Sequence, residues 1–415
     1  MSNELKGACV IAQSGGPTAV INASAYGVIK TALENPNITR VFGADHGILG
    51  VLNDKLYDMA KEDPYELELL MNTPSSELGS CRYKMSDPDS DDKDYNRILE
   101  IFKKYDIRYF FYNGGNDSMD TCNKVSRFMD KCGYECRVMG VPKTIDNDLF
   151  GTDHCPGFGS AAKYIASSCL EVYKDAHVYD TDLIIITEVM GRHAGWLAGS
   201  AALASKYGLG PDLIYLPEIA FDMDSFLSDV EALHREKGKV FVVVSEGIQD
   251  KNGAFISSYS SALSCETDSF GHAQLGGLAQ YLALRCKEHT GAKTRGIELS
   301  LLQRCAAHLA SKNDLDEAFM AGRDAVLHAV AGETGKMVGF ERDMSSGEYV
   351  CKTKLLPLTS VANFEKKVPA DWINSQGNNV TDEFVDYVFP LIQGERECIK
   401  ENSLPRYSRL KRILA

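Results

Sequence analysis

Two stretches decide the fold of this 415-residue chain: IRYFFYNGGNDSMDT at 107–121 and RVMGVPKTIDNDL at 137–149. Each starts with an apolar run that predicts a buried strand, and each run breaks at glycine or proline into a polar loop. Ligands bind outside the carboxyl ends of the strands in open parallel sheets. Both loops are therefore expected to face one crevice, where they bring together Asp117, Lys143, Asp146 and Asp148.

Three carboxylates beside a lysine are the groups that phosphoryl transfer requires. Carboxylates can bind a divalent cation, a lysine can neutralise the moving phosphoryl group, and one carboxylate can accept the proton of an attacking hydroxyl. The alternative is that these are ordinary loop residues, because Asp, Asn and Gly are common in turns. Two such loops after successive predicted strands favour the functional interpretation.

The composition restricts the class of protein. A chain of 415 residues exceeds what one hydrophobic core usually serves, so two domains are expected. The formal net charge of -14 argues against a nucleic-acid or anionic-membrane partner. The amino-terminal MSNELKGACVIAQSGG has no signal-peptide core, and no apolar run reaches the roughly 18 residues of a spanning helix, so we expect a cytoplasmic protein. The 12 cysteines are scattered through apolar patterns, which predicts buried hydrophobes rather than a zinc site.

Other predicted strands also end in loops suited to phosphate. GACVIAQ at 7–13 predicts a strand, and SGGPT leads from it into a helical pattern, an order that offers backbone N–H groups to a phosphate. A purely structural tight turn is the alternative there, and the fingerprints of dinucleotide binders and of the P-loop are missing. Strand and helix patterns alternate from residue 182 onward, which predicts a parallel sheet, and KTRGIELSLLQRC at 293–305 predicts one more strand.

Five motifs, taken together, closely resemble the phosphofructokinase family. They are SGGPTAVINA, GGNDSMDT, PKTIDND, EVMGRHAGWLA and TRGIELSLLQR, and the resemblance covers roughly residues 7–345. It implies an α/β fold of two Rossmann-like, three-layer domains with parallel-rich sheets and an active-site cleft between them. The expected donor-phosphate domain is residues 1–156 plus about 303–345, and the expected sugar-phosphate domain is 157–302. Residues 346–415 form an extension whose packing the sequence does not specify.

The resemblance also implies a role for each matched position. Asp146 is expected to be the general base that takes the proton from the C1 hydroxyl of fructose 6-phosphate, with Lys143 and Asp117 as further catalytic residues. The positions matched to the sugar phosphate are Thr144, Ile145, Asp146, Met190, Gly191, Arg192, Glu246, Arg295, Leu301 and Arg304. The positions matched to the donor phosphate are Gly15, Gly16, Arg82, Asp117 and Lys143, and those matched to Mg²⁺ are Asn116 and Asp148.

Two positions indicate the phosphoryl donor. ATP-using members of the family have glycine where this chain has Asp117 and Lys143. The resemblance therefore implies pyrophosphate as donor, and a reversible reaction of glycolysis and gluconeogenesis that yields fructose 1,6-bisphosphate and phosphate. Arg295 matches a position that reaches the site of a neighbouring subunit, so a homodimer or homotetramer is expected.

Two positions depart from the family pattern. Asn116 replaces the usual aspartate, so an amide oxygen would serve Mg²⁺ there. Leu301 replaces a histidine or tyrosine near the sugar, which leaves a longer sugar phosphate such as sedoheptulose 7-phosphate open as an acceptor. The alternative functions are an ATP-dependent enzyme of the same fold and a non-catalytic regulatory subunit. A dinucleotide-dependent oxidoreductase is disfavoured by the missing glycine fingerprint.

Overall fold

The computed structural model describes residues 5–259 and 276–415. Over these residues the chain forms a seven-stranded sheet, a four-stranded sheet and a two-stranded ladder. In chain order the strands are β1 (Gly7–Gln13), β2 (Ile38–Ala44), β3 (Leu56–Asp58), β4 (Ile107–Gly114), β5 (Arg137–Pro142), β6 (Leu183–Val189), β7 (Leu213–Tyr215), β8 (Lys239–Ser245), β9 (Thr294–Glu298), β10 (Lys336–Asp343), β11 (Val350–Pro357), β12 (Lys400–Glu401) and β13 (Leu404–Pro405).

Helices cover both faces of each of the two larger sheets. In chain order they are α1 (Ile21–Glu34), α2 (Ile48–Leu52), α3 (Pro64–Leu69), α4 (Lys93–Tyr105), α5 (Asn116–Lys131), α6 (Phe158–Ala176), α7 (Trp196–Ser200), α8 (Met223–Lys237), α9 (Leu278–Thr290), α10 (Leu302–Cys305), α11 (Lys312–Val330), α12 (Leu358–Val361) and α13 (Asp382–Val388). No helix in the described ranges is long and apolar enough to cross a membrane.

The seven-stranded sheet has the order β11-β10-β5-β4-β1-β2-β3. Its five inner strands are parallel, while β3 and β11 run antiparallel at the two edges. Every residue of β1 is buried, which is typical of a strand covered on both faces. Because β4 and β5 are parallel neighbours, the loops after Gly114 and Pro142 leave the same edge of the sheet, as the sequence predicted.

The four-stranded sheet has the order β7-β8-β6-β9, and all its strands are parallel. The predicted strand at 293–305 was too long. It ends at Glu298 because the backbone turns at Ser300, which has a positive φ of 43°, and α10 follows. The apolar pattern continues through this turn, so the sequence alone gave no sign of the break.

Four hydrophobic clusters confirm the predicted three-layer α/β fold. One cluster packs α4 and α5 on one face of the larger sheet, and another packs α1 and α11 on the opposite face. The smaller sheet is covered by α6 and α7 on one face and by α8 and α9 on the other. Apolar burial on both faces of each sheet is the main stabilising contribution in such a layered domain.

Two glycines bring α1 and α11 into close contact. A Cβ atom placed on Gly322 would lie 2.0 Å from the carbonyl oxygen of Ser24, and one on Gly27 would lie 2.2 Å from that of Phe319. Any side chain at either position would push the helices apart. The close contact fixes α1, whose amino end follows the loop after β1.

Residues after 345 pack on both halves of the molecule. The sequence had not specified how this extension packs. β11 pairs with β10 at the edge of the larger sheet, and α12 buries Leu358 and Val361 in the core beside α5. α13 packs against the core of the smaller sheet. The last residues return to the larger sheet, where the backbone N–H of Ala415 donates to the carbonyl of Leu56 at 2.9 Å.

Candidate active site

A cavity of about 630 Å³ lies between the two sheets, at the carboxyl ends of their strands. The loops that follow β1, β4 and β5 form one side, and those that follow β6 and β8 form the other. The lining residues are Ser14, Gly15, Gly16, Arg82, Gly115, Asn116, Asp117, Ser118, Lys143, Thr144, Asp146, Asp148, Met190, Arg192, His193, Glu246, Asn363, Phe364 and Glu365.

Lys143 lies on the loop after β5 and reaches the glycine loop after β1. Its Nζ donates a hydrogen bond to the carbonyl oxygen of Gly16 at 2.7 Å. Gly15 has a φ of +74°, a conformation that favours glycine, and a Cβ there would lie 3.3 Å from this Nζ. Burial lowers the pKa of Lys143 to about 8, against the opposing effect of the nearby carboxylates of Asp146 and Asp148. Lys143 is therefore a buried cation beside a backbone loop.

Asn116 and Asp117 form the first turn of α5, after Gly115 as the cap residue. The amino end of a helix carries partial positive charge and unpaired N–H groups. The Oδ1 atom of Asn116 is buried, and no residue that the structure describes donates a hydrogen bond to it. Asp117 is more exposed and lines the same cavity. This turn thus presents an available amide oxygen and a carboxylate to a ligand.

The TIDND loop carries two carboxylates into the centre of the cavity. The backbone N–H of Asp146 donates to Oγ1 of Thr144 at 3.1 Å, which holds the loop in a turn. Burial raises the pKa of Asp146, while Lys143 and Arg192 oppose the rise. Burial also raises the pKa of Asp148 to about 7, and the charges of Asp146 and Glu365 add to the rise. Two adjacent carboxylates in a buried site favour a shared cation.

The loops after β6 and β8 meet on the other side of the cavity. The backbone N–H of Gly191 donates to Oε1 of Glu246 at 3.4 Å, and the hydroxyl of Ser245 donates to the carbonyl of Gly191. Burial, followed by the charge of Asp146, raises the pKa of Glu246 to about 7. The backbone N–H of Met190 donates to Oε1 of Gln303 at 3.2 Å. These contacts fix the loop that bears Arg192.

Residues 8–308 match the sequence profile of the family described as Phosphofructokinase. This chain belongs to the phosphofructokinase family. It is 44% identical to the pyrophosphate--fructose 6-phosphate 1-phosphotransferase of Halomonas elongata, over 96% of this chain and 95% of that protein. It is 45% identical to the enzyme of the same name from Xanthomonas campestris pv. campestris, over 98% and 97%. Identity to a sulfofructose kinase from Alkalicoccus urumqiensis is 32%, over 88% and 92%.

Solved structures of the family agree with the fold. The chain matches the crystal structure of a pyrophosphate-dependent phosphofructokinase from Marinobacter aquaeolei with a TM-score of 0.88 at 41% identity, covering 99% of this chain and 97% of that one. The crystal structure of the enzyme from Nitrosospira multiformis matches equally well, with a TM-score of 0.88 over 99% and 98%. Phosphofructokinase is therefore both the sequence family and the fold of this protein.

The phosphofructokinase cavity brings together most of the residues singled out from the sequence. Those that line it are Gly15, Gly16, Arg82, Asn116, Asp117, Lys143, Thr144, Asp146, Asp148, Met190, Arg192 and Glu246. Arg304 lies beside it, since its Nη1 is 3.0 Å from where a Cβ of Gly16 would be. Gly191 acts through its backbone, as described, and Ile145 is buried in the core beside α6.

Besides Ile145, Gly191 and Arg304, two further predicted sugar-phosphate residues are not among those that line the cavity of this chain. Arg295 is exposed on β9, an edge strand, and Leu301 is 55% exposed before α10. Exposure leaves Arg295 accessible, and its expected contact with a neighbouring subunit's site stays a prediction. Leu301 is not among the residues that line the cavity, and its role near the sugar stays a prediction.

The sequence interpretation assigned no role to seven of the lining residues. Four of them lie inside or next to the motifs recognised in the sequence, and the loops that carry those motifs bring them to the cavity. They are Ser14, Gly115, Ser118 and His193. The other three, Asn363, Phe364 and Glu365, come from the extension beyond residue 345 and belong to no motif. The folded chain brings this segment to the site through the isolated bridge between Leu149 and Glu365 and through the backbone hydrogen bond from Lys366 to Asp148.

A second polar cluster lies outside the cavity, around His154. Its Nδ1 is 2.8 Å from the carboxylate of Asp153, and its Nε2 is 2.8 Å from that of Glu317. His154, Glu317 and Cys351 are residue types that bind metals, and their ligand atoms lie close enough together to surround an ion. Both ring nitrogens already have carboxylate partners, however, so the imidazole has no lone pair directed at an ion. The cluster is a buried charge network between α11 and the segment after β5.

Proposed function

We propose that this phosphofructokinase transfers a phosphoryl group from pyrophosphate to the C1 hydroxyl of fructose 6-phosphate, giving fructose 1,6-bisphosphate and phosphate in a reversible reaction. The observation that carries the proposal is the joint placement of Asp117 and Lys143 in one cavity, where Lys143 also contacts the glycine loop after β1. The names of the similar enzymes from Halomonas elongata and Xanthomonas campestris agree with it.

Asp117 and Lys143 select the donor by charge and space. In a nucleotide, the α-phosphate and the sugar follow the β- and γ-phosphates that would occupy the donor position. They would extend from that position towards the carboxylate of Asp117. Like charges at short range in a partly desolvated site repel by several kcal/mol, on the order of 4 kcal/mol at 4 Å. Pyrophosphate ends before that point and is not repelled. Lys143 supplies a cation that stabilises both the donor and the phosphate that leaves.

Each of the remaining site residues has its own role in the phosphoryl transfer. Asp146 accepts the proton of the attacking C1 hydroxyl, and the cations of Lys143 and Arg192 keep its pKa below the value that burial alone would give. Arg192 and Arg304 hold phosphate oxygens, for which a guanidinium is suited. Glu246 accepts hydrogen bonds from sugar hydroxyls. We assign the donor to the half with the larger sheet, residues 1–156 and about 303–345, and the sugar phosphate to residues 157–302.

A divalent cation, which we propose is Mg²⁺, fits the residues at the donor side. Asp148 and the unpartnered Oδ1 of Asn116 offer the hard oxygen ligands that Mg²⁺ prefers. When bound, such an ion neutralises charge on the donor phosphates. The protein supplies the carboxylates and the buried lysine around that position. We further propose a cytoplasmic homodimer or homotetramer in which Arg295 serves a neighbouring site.

The test is a comparison of phosphoryl donors with the purified protein, fructose 6-phosphate and Mg²⁺. We expect turnover with pyrophosphate to exceed that with ATP. Asp146→Ala should reduce kcat roughly 10²–10⁴-fold, whereas Asp130→Ala, an exposed carboxylate on α5, should leave kcat unchanged. Faster turnover with ATP would overturn the choice of donor. No turnover with either donor would favour a regulatory subunit.

A further inference from the structure

One segment of the extension connects the two halves of the molecule and lines part of the cavity. Leu358 and Val361 are buried in the core of the larger sheet, and Val368 is buried in the core of the smaller one. Between them the backbone N–H of Lys366 donates to the carbonyl of Asp148 at 2.8 Å. The chain from 358 to 368, here called the crossing segment, thus pairs with the end of the TIDND loop.

Lys366 anchors the crossing segment below that loop. Its Nζ donates to the carbonyl oxygens of Thr152 and Asp153 and to the hydroxyl of Tyr387, the last at 3.2 Å. The ammonium also lies 4.7 Å from the ring centroid of Trp196, whose Nε1 donates to the carbonyl of Lys366 at 2.9 Å. A lysine with this many contacts has one fixed position.

Tyr387, also from the extension, holds the residue between the two carboxylates of the loop. Asn147 is buried with a positive φ of 56°, and its Nδ2 donates to the hydroxyl of Tyr387 at 2.9 Å. Its Oδ1 accepts from the backbone N–H of Cys155 at 2.9 Å, so both ends of the amide are fixed. The Tyr387 hydroxyl in turn donates to the carbonyl of Asp153 at 2.6 Å. The phenol thus uses its one donor and both acceptor positions.

We propose that Tyr387 and Lys366 are positioning residues for phosphoryl transfer, which act through Asn147 on the direction of the Asp146 carboxylate. This inference rests on the proposed role of Asp146 as base. A left-handed residue between two functional carboxylates needs the surrounding structure to hold it. The two hydrogen bonds of the Asn147 amide, here called the clamp, supply this support. One joins the amide to Tyr387 of the extension and the other joins it to the backbone of Cys155. The extension is thereby part of the catalytic apparatus.

The first test is Tyr387→Phe, which removes the hydroxyl and keeps the ring among its aromatic neighbours. We expect kcat to fall roughly 10-fold while KM for fructose 6-phosphate changes by less than about twofold, because misdirection of the base affects the transition state more than binding. The matched control is Tyr134→Phe, a buried tyrosine whose hydroxyl lies 3.0 Å and 2.9 Å from the carbonyl oxygens of Phe102 and Ile107, at the opposite end of β4 from the cavity. It should leave kcat unchanged.

A double-mutant cycle separates positioning from a general loss of packing. Asn147→Gly keeps the left-handed backbone accessible and removes the amide. If Tyr387 acts through Asn147, Tyr387→Phe should change kcat by less than about twofold in the Asn147→Gly background. Should Tyr387→Phe not fold, Lys366→Met tests the same clamp, and we expect a similar fall in kcat.

The outcomes distinguish this inference from the proposed function. A wild-type enzyme with no activity would contradict the proposed function. An active enzyme in which Tyr387→Phe, or Lys366→Met in its place, keeps more than about half of kcat would overturn the positioning role alone. An undiminished effect of Tyr387→Phe in the Asn147→Gly background would overturn it as well.

Discussion

Replacement of Lys143 by methionine should abolish most of the pyrophosphate-dependent activity. The pKa of this lysine is about 8, so at about pH 7 roughly nine tenths of it is charged. A unit charge about 4 Å from a phosphate oxygen, at the effective dielectric constant of about 20 that suits protein sites, contributes on the order of 4 kcal/mol. Methionine keeps the length of the side chain and removes the charge. We therefore expect kcat/KM for pyrophosphate to fall by about 10³-fold.

The assay is the initial rate of fructose 1,6-bisphosphate formation at saturating fructose 6-phosphate and Mg²⁺, with pyrophosphate varied. Lys30→Met is the control, since Lys30 is an exposed lysine paired with Glu34 on α1. It should leave kcat/KM unchanged. A Lys143→Met enzyme with more than about one tenth of the wild-type kcat/KM would refute the reasoning, because a charge with so small an effect could not lie beside the donor.

Three further changes test other parts of the molecule. Asp117→Gly should raise the ratio of ATP to pyrophosphate turnover by at least about 10-fold, since it removes the like charge; an unchanged ratio in donor-competition assays would count against this. Asn116→Asp should lower the Mg²⁺ concentration for half-maximal rate by about 10-fold, because a carboxylate binds the ion more tightly than an amide; a Mg²⁺ titration of the rate decides. The third change concerns stability. Burial opposes charge on His154, but the carboxylates of Glu317 and Asp153 raise its pKa from 6.5 to about 9. A raised pKa stabilises the fold below about pH 6.5, and this stability is lost as the pH rises through about 9. The contribution of His154 to the free energy of unfolding in urea should fall by on the order of 3 kcal/mol across this window, and His154→Gln should remove that contribution.

The loops at the carboxyl ends of β4 and β5 were predictable because their signals are local. An apolar strand that stops at Gly114 or Pro142 produces a polar loop wherever the strand lies in the sheet. Parallel pairing then places both loops at one edge without any further information. For the same reason Asp117, Lys143, Asp146 and Asp148 could all be named from the sequence alone.

The contribution of the extension could not be predicted, because it depends on contacts between residues far apart in the chain. Tyr387 follows Asn147 by 240 positions, and nothing around Tyr387 departs from an ordinary short helix. The outward position of Leu301 was equally hidden, since one turn at Ser300 moves it away from the strand. The positions of Tyr387 and Leu301 depend on tertiary contacts and on a single backbone turn, and not on local sequence patterns.

The contact between the TIDND loop and the extension has a consequence for recombination between family members. An exchange of coding sequence at a single breakpoint after residue 345 would join a TIDND loop from one parent to an extension from another. Asn147 and Tyr387 would then come from different parents, although the hydrogen bond between them requires that their positions fit each other. Hybrid enzymes should retain activity only when residues 144–155 and 358–392 are inherited together.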